Sequence, residues 1–297
     1  MTSQNKHVLQ GIAAGLIAAV CYGFIPLFTL PLKTGEGVES LSDSTILFYR
    51  FGLAALIIGF IMLWRRADFR ITRGELVTLT YLAFLSDGAA LFLIDGYDYL
   101  SSGVATTLHF MYPVMTAIIM MCFYHEARRA STIAAIVMAV AGVGILSWDG
   151  GQEGSLHGVA VELISALCYA FYLIRVNRSR AAHMDTLRLV FYILAIGAVI
   201  FLFDALRENA LRLPAYGSQW VDLGSLALIC TVVTNLCLVV SVKRIGSTMT
   251  AVIGALEPLT AVGIGCLLFA EPFTWQVALA IALIIPAVVI IILTRHR

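Results

Sequence analysis

Ten long apolar runs, each near the length of a membrane-crossing helix and each bounded by charge, glycine or proline, leave this chain few ways to fold. A helix needs about 20 apolar residues to cross the roughly 30 Å hydrocarbon core of a bilayer. Windows of that length fall at approximately 8–30, 44–64, 75–94, 101–124, 130–148, 157–176, 186–206, 218–242, 247–270 and 273–294. Of the 297 residues 60% are apolar and only 12% charged, too few to clothe this surface with a polar shell in water. The connections are short, so function must lie within or between the spanning helices. With backbone hydrogen bonds satisfied internally in lipid, the fold class is all-α integral membrane.

The apolar run after Lys6-His7 resembles a signal peptide. It is too long for one, and Val20 before Cys21 does not suit a lipoprotein cleavage site. Cys21, Cys122, Cys168, Cys230, Cys237 and Cys266 all lie in apolar stretches without CxxC spacing, which fits small buried hydrophobes better than disulfides or a metal site. No basic face suits nucleic acid.

With ten spans, fifteen of the 19 Lys and Arg residues fall on the side of the N-terminus, three fall opposite (Lys33, Arg207 and Arg212), and Arg50 lies inside the second span. Lysine and arginine mark the cytoplasmic side. Both termini are therefore expected in the cytoplasm, in a cytoplasmic (inner) membrane. The acidic residues lean the other way, with Asp95, Asp98, Asp149 and Glu153 on the outer side.

The chain also repeats itself. Cys21-Tyr22-Gly23-Phe24 matches Cys168-Tyr169-Ala170-Phe171 at an offset of 147, Phe48-Tyr49 matches Phe191-Tyr192, and Ser102…Tyr112-Pro113…Glu126 matches Ser247…Glu257-Pro258…Glu271 at 145. The expected division is a first five-helix repeat over 1–150 and a second over 151–297. Five is odd, so the second repeat enters the membrane inverted, as in secondary transporters that bind substrate at the midplane between repeats.

These motifs, with Phe48-Tyr49-Arg50, Leu-His-Phe-Met-Tyr-Pro at 108–113 and Ala-Glu-Pro at 270–272, resemble the drug/metabolite transporter superfamily, in particular its EamA-type members. The resemblance covers nearly the whole chain. It implies ten helices in two inverted repeats, a central cavity lined mainly by spans 1, 3, 4, 6, 8 and 9, and export of small metabolites such as amino acids. His125 stands where a glycine usually precedes the glutamate.

Charged groups at membrane depth are expensive, which makes Arg50, Asp87, Glu162 and Glu257 candidates for function. Glu257 lies about 15 Å from the cytoplasmic end of its span, at the midplane, beside Pro258, which frees a backbone carbonyl. Two roles fit it: proton coupling or a counter-charge to a substrate amine, and a hydrogen-bonded glutamate that pins two helices. Asp87, roughly 18 Å deep, falls in a span that the resemblance assigns to the cavity, but a salt bridge to Arg50 fits as well. Arg50 and Glu162 both sit about 8–9 Å from the outer ends of their helices, and that equal depth makes them a structural ion pair.

His109 and Tyr112 are three residues apart on one helix face. With Tyr22, Tyr169, Tyr81 and Asn235 they could line a cavity for amphiphilic substrates. His109 is also a second candidate for carrying protons, although a packing role suits a lone histidine. Trp64, Trp148, Trp220 and Trp275 mark span ends as interfacial anchors, and Pro26, Pro113, Pro258 and Pro286 should each kink a span.

No HExxH, Walker A, GxSxG or clustered metal ligands are present, so an enzyme is not expected, nor a cofactor or metal. The reading is a secondary transporter working by alternating access, most readily an exporter of amino acids or related amphiphiles, with protons as a candidate coupling ion. Its expected partners are a small-molecule substrate and membrane lipids, as a monomer or homodimer. Uptake of a vitamin or nucleoside-like compound, a channel, and a membrane assembly protein without transport are the alternatives.

Overall fold

A computed structural model describes residues 3–34, 40–124, 130–147 and 155–295. His125, Glu126, Trp148, Asp149 and Glu153, singled out above, lie outside the described residues. All regular structure in the described residues is helical: α1 (Ser3–Gly23), α2 (Ile25–Thr34), α3 (Asp43–Trp64), α4 (Arg73–Gly96), α5 (Ser102–His109), α6 (Tyr112–Phe123), α7 (Ala130–Ser147), α8 (Ser155–Arg178), α9 (Thr186–Arg207), α10 (Gly217–Ala227), α11 (Thr234–Gly254), α12 (Leu256–Leu268) and α13 (Trp275–Arg295). A short 3₁₀ turn, Arg180–His183, follows α8, and a π-helical turn, Leu228–Val233, joins α10 to α11.

Local chemistry explains the ends. Ser42 caps α3, Thr72 and Glu75 form a reciprocal capping box on α4, and the Asp185 carboxylate accepts from Leu187 and Arg188 at the start of α9. The C-termini of α3 and α9 close identically, with Arg66 and Asn209 both at φ 52° in the left-handed region, which lets Ala67 N–H reach Met62 O and Ala210 N–H reach Ala205 O, each at 2.9 Å.

Among the described residues, eight helical stretches are long and apolar enough to cross a membrane. Two of the ten expected windows are represented by shorter apolar helices, Ala130–Ile145 and Val252–Leu268. In the window at 247–270 the cause is visible: Gly246 takes φ 82°, ψ 161°, open only to glycine, and a second break follows at Ala255. Three of the four expected proline kinks appear. Pro26, Pro113 and Pro258 lie in the first turns of α2, α6 and α12, just after breaks at Phe24, Phe110–Met111 and Ala255. A first turn tolerates the missing N–H. Pro286 is a correction, because α13 runs through it as one helix. Trp64 and Trp275 sit exposed at helix ends, as interfacial residues would.

The halves pack through related pairs. The main contacts are α1 on α11, α4 on α8, α3 on α9, α5 on α12 and α7 on α13. Exchanging each helix for its repeat equivalent turns α1 on α11 into α4 on α8 and returns α3 on α9 and α7 on α13 to themselves, which describes a pseudo-two-fold relation. The self-related pair α3 and α9 runs antiparallel: Ser44 and Thr45 at the start of α3 donate to Asp204 Oδ2 (2.5 Å) and Ala210 O (2.9 Å) beyond the middle of α9, while Tyr192 near the start of α9 donates to Phe69 O (2.5 Å) after α3. Two helices related by a two-fold axis are antiparallel only when the axis is perpendicular to them. Gly11 and Gly15 let α1 lie directly against Arg244, Ile245 and Ser241 of α11.

Candidate functional site: a buried cavity between the halves

Between the halves lies a partly open cavity of about 100 Å³, roomy enough for several waters or a small polar solute. It is lined from α1 (Tyr22), α3 (Arg50, Phe51), α4 (Ser86, Ala89, Ala90, Leu93), α5 (His109), α8 (Tyr169, Tyr172), α9 (Val190, Ile193, Leu194), the π-helical turn (Thr231) and α11 (Asn235). The lining thus includes α3 and α9, which the family resemblance did not imply, and no residue of α12.

Arg50 is the charged member of this lining and is 5% exposed. Its Nε donates to Thr231 Oγ1 at 3.1 Å, and its guanidinium lies 5.7 Å from the centre of the Phe51 ring. The expected ion pair with Glu162 is not formed, and neither is one with Asp87. Equal depth put the two charges at one level, but they point to different neighbours: Glu162 is folded against Gly96 with both carboxyl oxygens unpartnered, and Arg50 turns to the π-helical turn. The terminal nitrogens of Arg50 have no acceptor among the described residues and remain for an occupant of the cavity.

The π-helical turn supplies the partner. Its wider winding lets Thr231 Oγ1 donate five residues back to Leu226 O (3.0 Å), and Thr234 Oγ1 does the same to Ile229 O (2.9 Å). With its own proton committed to Leu226, the Thr231 oxygen presents a lone pair to Arg50. Asn235 Nδ2 donates to Thr231 O at 2.7 Å, which fixes the amide at the cavity wall.

His109 is held by similar logic. Its Nδ1 lies 2.8 Å from Ser165 Oγ, and Ser165 Oγ donates to Ala89 O at 2.6 Å. A serine has one proton, so Nδ1–H must be the donor to Ser165. The neutral ring therefore carries its acceptor lone pair on Nε2. Around it stand Tyr112 (centroids 5.9 Å) and Tyr169 (5.6 Å), with Tyr112 and Tyr169 edge-on at 4.7 Å and Tyr169 stacked on Tyr172 at 5.6 Å.

The remaining candidates disperse. Glu257 is buried in the first turn of α12, within electrostatic reach of Tyr22, Tyr112 and Tyr169, but does not line the cavity. Tyr112 belongs to the ring cluster beside the cavity rather than to its lining. Tyr81 departs from its expected place: 46% exposed, it lies on another face of α4 under the Arg175 guanidinium, 5.4 Å from its ring centre. Asp87 is also on another face of α4, with both carboxyl oxygens unpartnered.

Sequence reasoning missed Ser86, Tyr172, Thr231 and Ser165. A hydroxyl in an apolar helix gives little signal until its neighbours are known. It also missed an acidic group at one end of the bundle, Asp43, Asp95 and Asp98, close enough to surround a cation. Lys33 already fills that place: its ammonium donates to Ile94 O (2.8 Å), Asp43 Oδ1 (2.8 Å) and Asp98 Oδ2 (2.9 Å).

Comparison with known proteins gives the family. The model of the EamA-like transporter family matches residues 9–148 and again 156–293. No curated protein sequence matches the chain. A solved crystal structure, described only as that of a protein, is 17% identical over 98% of this chain and 99% of its own, with a TM-score of 0.66, and so shares the fold. Two matches to one model, over helices apolar enough to cross a membrane many times, leave a single conclusion: the chain is a multi-pass membrane protein and belongs to the EamA-like transporter family, whose members are transporters of small solutes rather than enzymes.

Proposed function

We propose that the protein is a secondary transporter of ten spans in two inverted five-helix repeats, 1–150 and 151–297, which exports amino acids or similar zwitterionic metabolites across the cytoplasmic membrane. Both termini face the cytoplasm in this reading, as the loop charge favours. The short helices α7 and α12 stand for the fifth and ninth spans. Antiparallel pairing of α3 with α9 about a pseudo-two-fold axis supports the inversion, the arrangement that lets one scaffold open to either side in turn.

One observation carries the substrate class: a buried cavity between the halves holds an arginine with its terminal nitrogens uncommitted and a histidine whose tautomer is fixed. A guanidinium recognises a carboxylate through paired charge-assisted hydrogen bonds. His109 Nε2 accepts from an ammonium, the tyrosine faces attract the same charge, and the apolar wall of Leu93, Ile193 and Leu194 suits a side chain. Glu257, beside the tyrosines but off the lining, carries the coupling proton in this reading without competing for substrate.

Counterflow in proteoliposomes tests this, with amino acids, amines, nucleosides and vitamins compared with and without a pH gradient. Saturable exchange of amino acids, lost in Arg50→Gln, is the expected result. Exchange confined to nucleosides or vitamins removes the substrate class, and flux without saturation or counterflow removes the carrier. A Glu257→Gln protein still driven by a pH gradient removes the coupling role.

A further inference from the structure

The helix α4 has two working faces. Ser86, Ala89, Ala90 and Leu93, at helical spacing, line the central cavity. Phe84, Asp87, Gly88 and Leu91, at the same spacing one step round the helix, line a different one. This second cavity, about 410 Å³, is completed by α9 through Ile200, Phe201, Phe203, Asp204 and Arg207. Phe84 and Phe203 are strongly exposed on the outside of the bundle, so it opens sideways, toward lipid. Its mouth carries Asp204 and Arg207, an ion pair at 3.1 Å near the end of α9. Asp87, facing Gly197, lies about 10 Å farther in than Asp204, counted along α9 at 1.5 Å per residue.

Asp87 is 3% exposed, and neither carboxyl oxygen has a hydrogen-bond partner. The facing residue on α9 is Gly197, where any side chain would collide with the Asp87 carboxyl. The nearest cation at this cavity, Arg207, is engaged by Asp204 at the mouth. Asp87 thus forms part of the inner wall of a passage lined by three phenylalanines, with its carboxyl, lacking a counter-charge, just behind that wall against Gly197, and aromatic faces attract cations.

We propose that this lateral cavity is a binding site for a hydrophobic monoamine, separate from the central cavity. The amine enters from the surrounding leaflet, its ammonium pairs with Asp87, and its apolar body lies among Phe84, Phe201 and Phe203. Charge complementarity selects the occupant. A neutral lipid chain would leave the Asp87 carboxyl unsatisfied, and an acid would bring it no positive charge to pair with.

The test is equilibrium binding of tritiated phenethylamine to the full chain in nanodiscs, with Asp87→Asn and Phe203→Ala compared. The wild type should bind saturably, Asp87→Asn should lose affinity at least tenfold, and Phe203→Ala should lose it severalfold. Absence of saturable binding to the wild type overturns the site, as does full affinity in a folded Asp87→Asn protein. Should Asp87→Asn fail to fold, Phe203→Ala decides, because that ring is 69% exposed and its removal spares the packing; unchanged affinity there overturns the site. Loss of binding in Arg50→Gln with retention in Asp87→Asn would put the amine in the central cavity and also overturn it. Amino-acid counterflow is a separate readout, so failure of this site and failure of the proposed transport are distinguishable.

Discussion

Arg50 Nε stands 3.1 Å from Thr231 Oγ1, and this bond joins the first half of the chain to the one π-helical turn among the described residues. The hydroxyl is pre-set as an acceptor by its own bond to Leu226 O, so it orients the guanidinium without neutralising it. A carboxylate partner would have satisfied the charge and left nothing for a substrate. Arg50→Gln should therefore weaken substrate binding by about 2–3 kcal/mol, or roughly 30- to 150-fold, with Arg50→Lys intermediate because it lacks the planar fork. Thr231→Val should cost about 1 kcal/mol and appear mainly in apparent affinity. Binding isotherms and counterflow on the three variants check the order.

Ser165 sits between His109 and Ala89 as a relay with fixed direction. Ser165→Ala removes the acceptor for Nδ1–H and the donor to Ala89 O, in a place closed to water. The expected cost is about 1–3 kcal/mol of stability, seen as a lower melting temperature in detergent. Weaker substrate binding should accompany it, because the imidazole can then turn or change tautomer. Unchanged binding in a destabilised protein would leave His109 as a packing residue.

Glu271 ties the halves together at a helix end. Its carboxylate accepts from Ser102 N at 2.8 Å and Gly103 N at 3.4 Å, capping α5 from the segment after α12. Ser101, the residue preceding α5, makes no side-chain cap of its own. Glu271→Ala should destabilise by about 1–2 kcal/mol, and Glu271→Gln by less, as for other caps. Thermal unfolding followed by the exposure of free cysteines would measure both.

Ala270, the residue before that glutamate, is a non-glycine residue in the left-handed region. It takes φ 53°, which turns the chain so that Glu271 can fold back over Gly265 to reach α5. A left-handed non-glycine residue costs roughly 1–2 kcal/mol, part of which glycine returns as greater freedom of the unfolded chain. Ala270→Gly should stabilise by up to about 1 kcal/mol, read as a raised melting temperature with transport unchanged.

Depth along a helix was legible in the amino-acid sequence, and rotation about it was not. The breaks before Pro113 and Pro258, the matching of Tyr112 with Glu257 and the tryptophans at helix ends all follow from position along the chain. Pairing Arg50 with Glu162 used depth alone. A helix such as α4, apolar on nearly every side, gives no period from which to tell that Asp87 faces away from Ser86. Tyr81 was misplaced for the same reason. The route by which Arg50 is held needed the π-helical turn, for which no residue type is a marker, and the continuity of α13 through Pro286 came from packing against α7 that overrides a local breaker.

The π-helical turn has one more effect. Between the Phe-Tyr pair and the Ser102/Ser247 motif, the offset between the repeats rises from 143 to 145, so the second copy is two residues longer over the stretch that contains this turn. A perfectly duplicated scaffold would offer any ligand two equivalent poses, head for tail. At the offset of the Phe-Tyr pair Arg50 answers to Ile193, so one half gives the cavity a guanidinium with its anchor on the turn and the other half gives it an apolar wall, and the two ends of the cavity are chemically unlike.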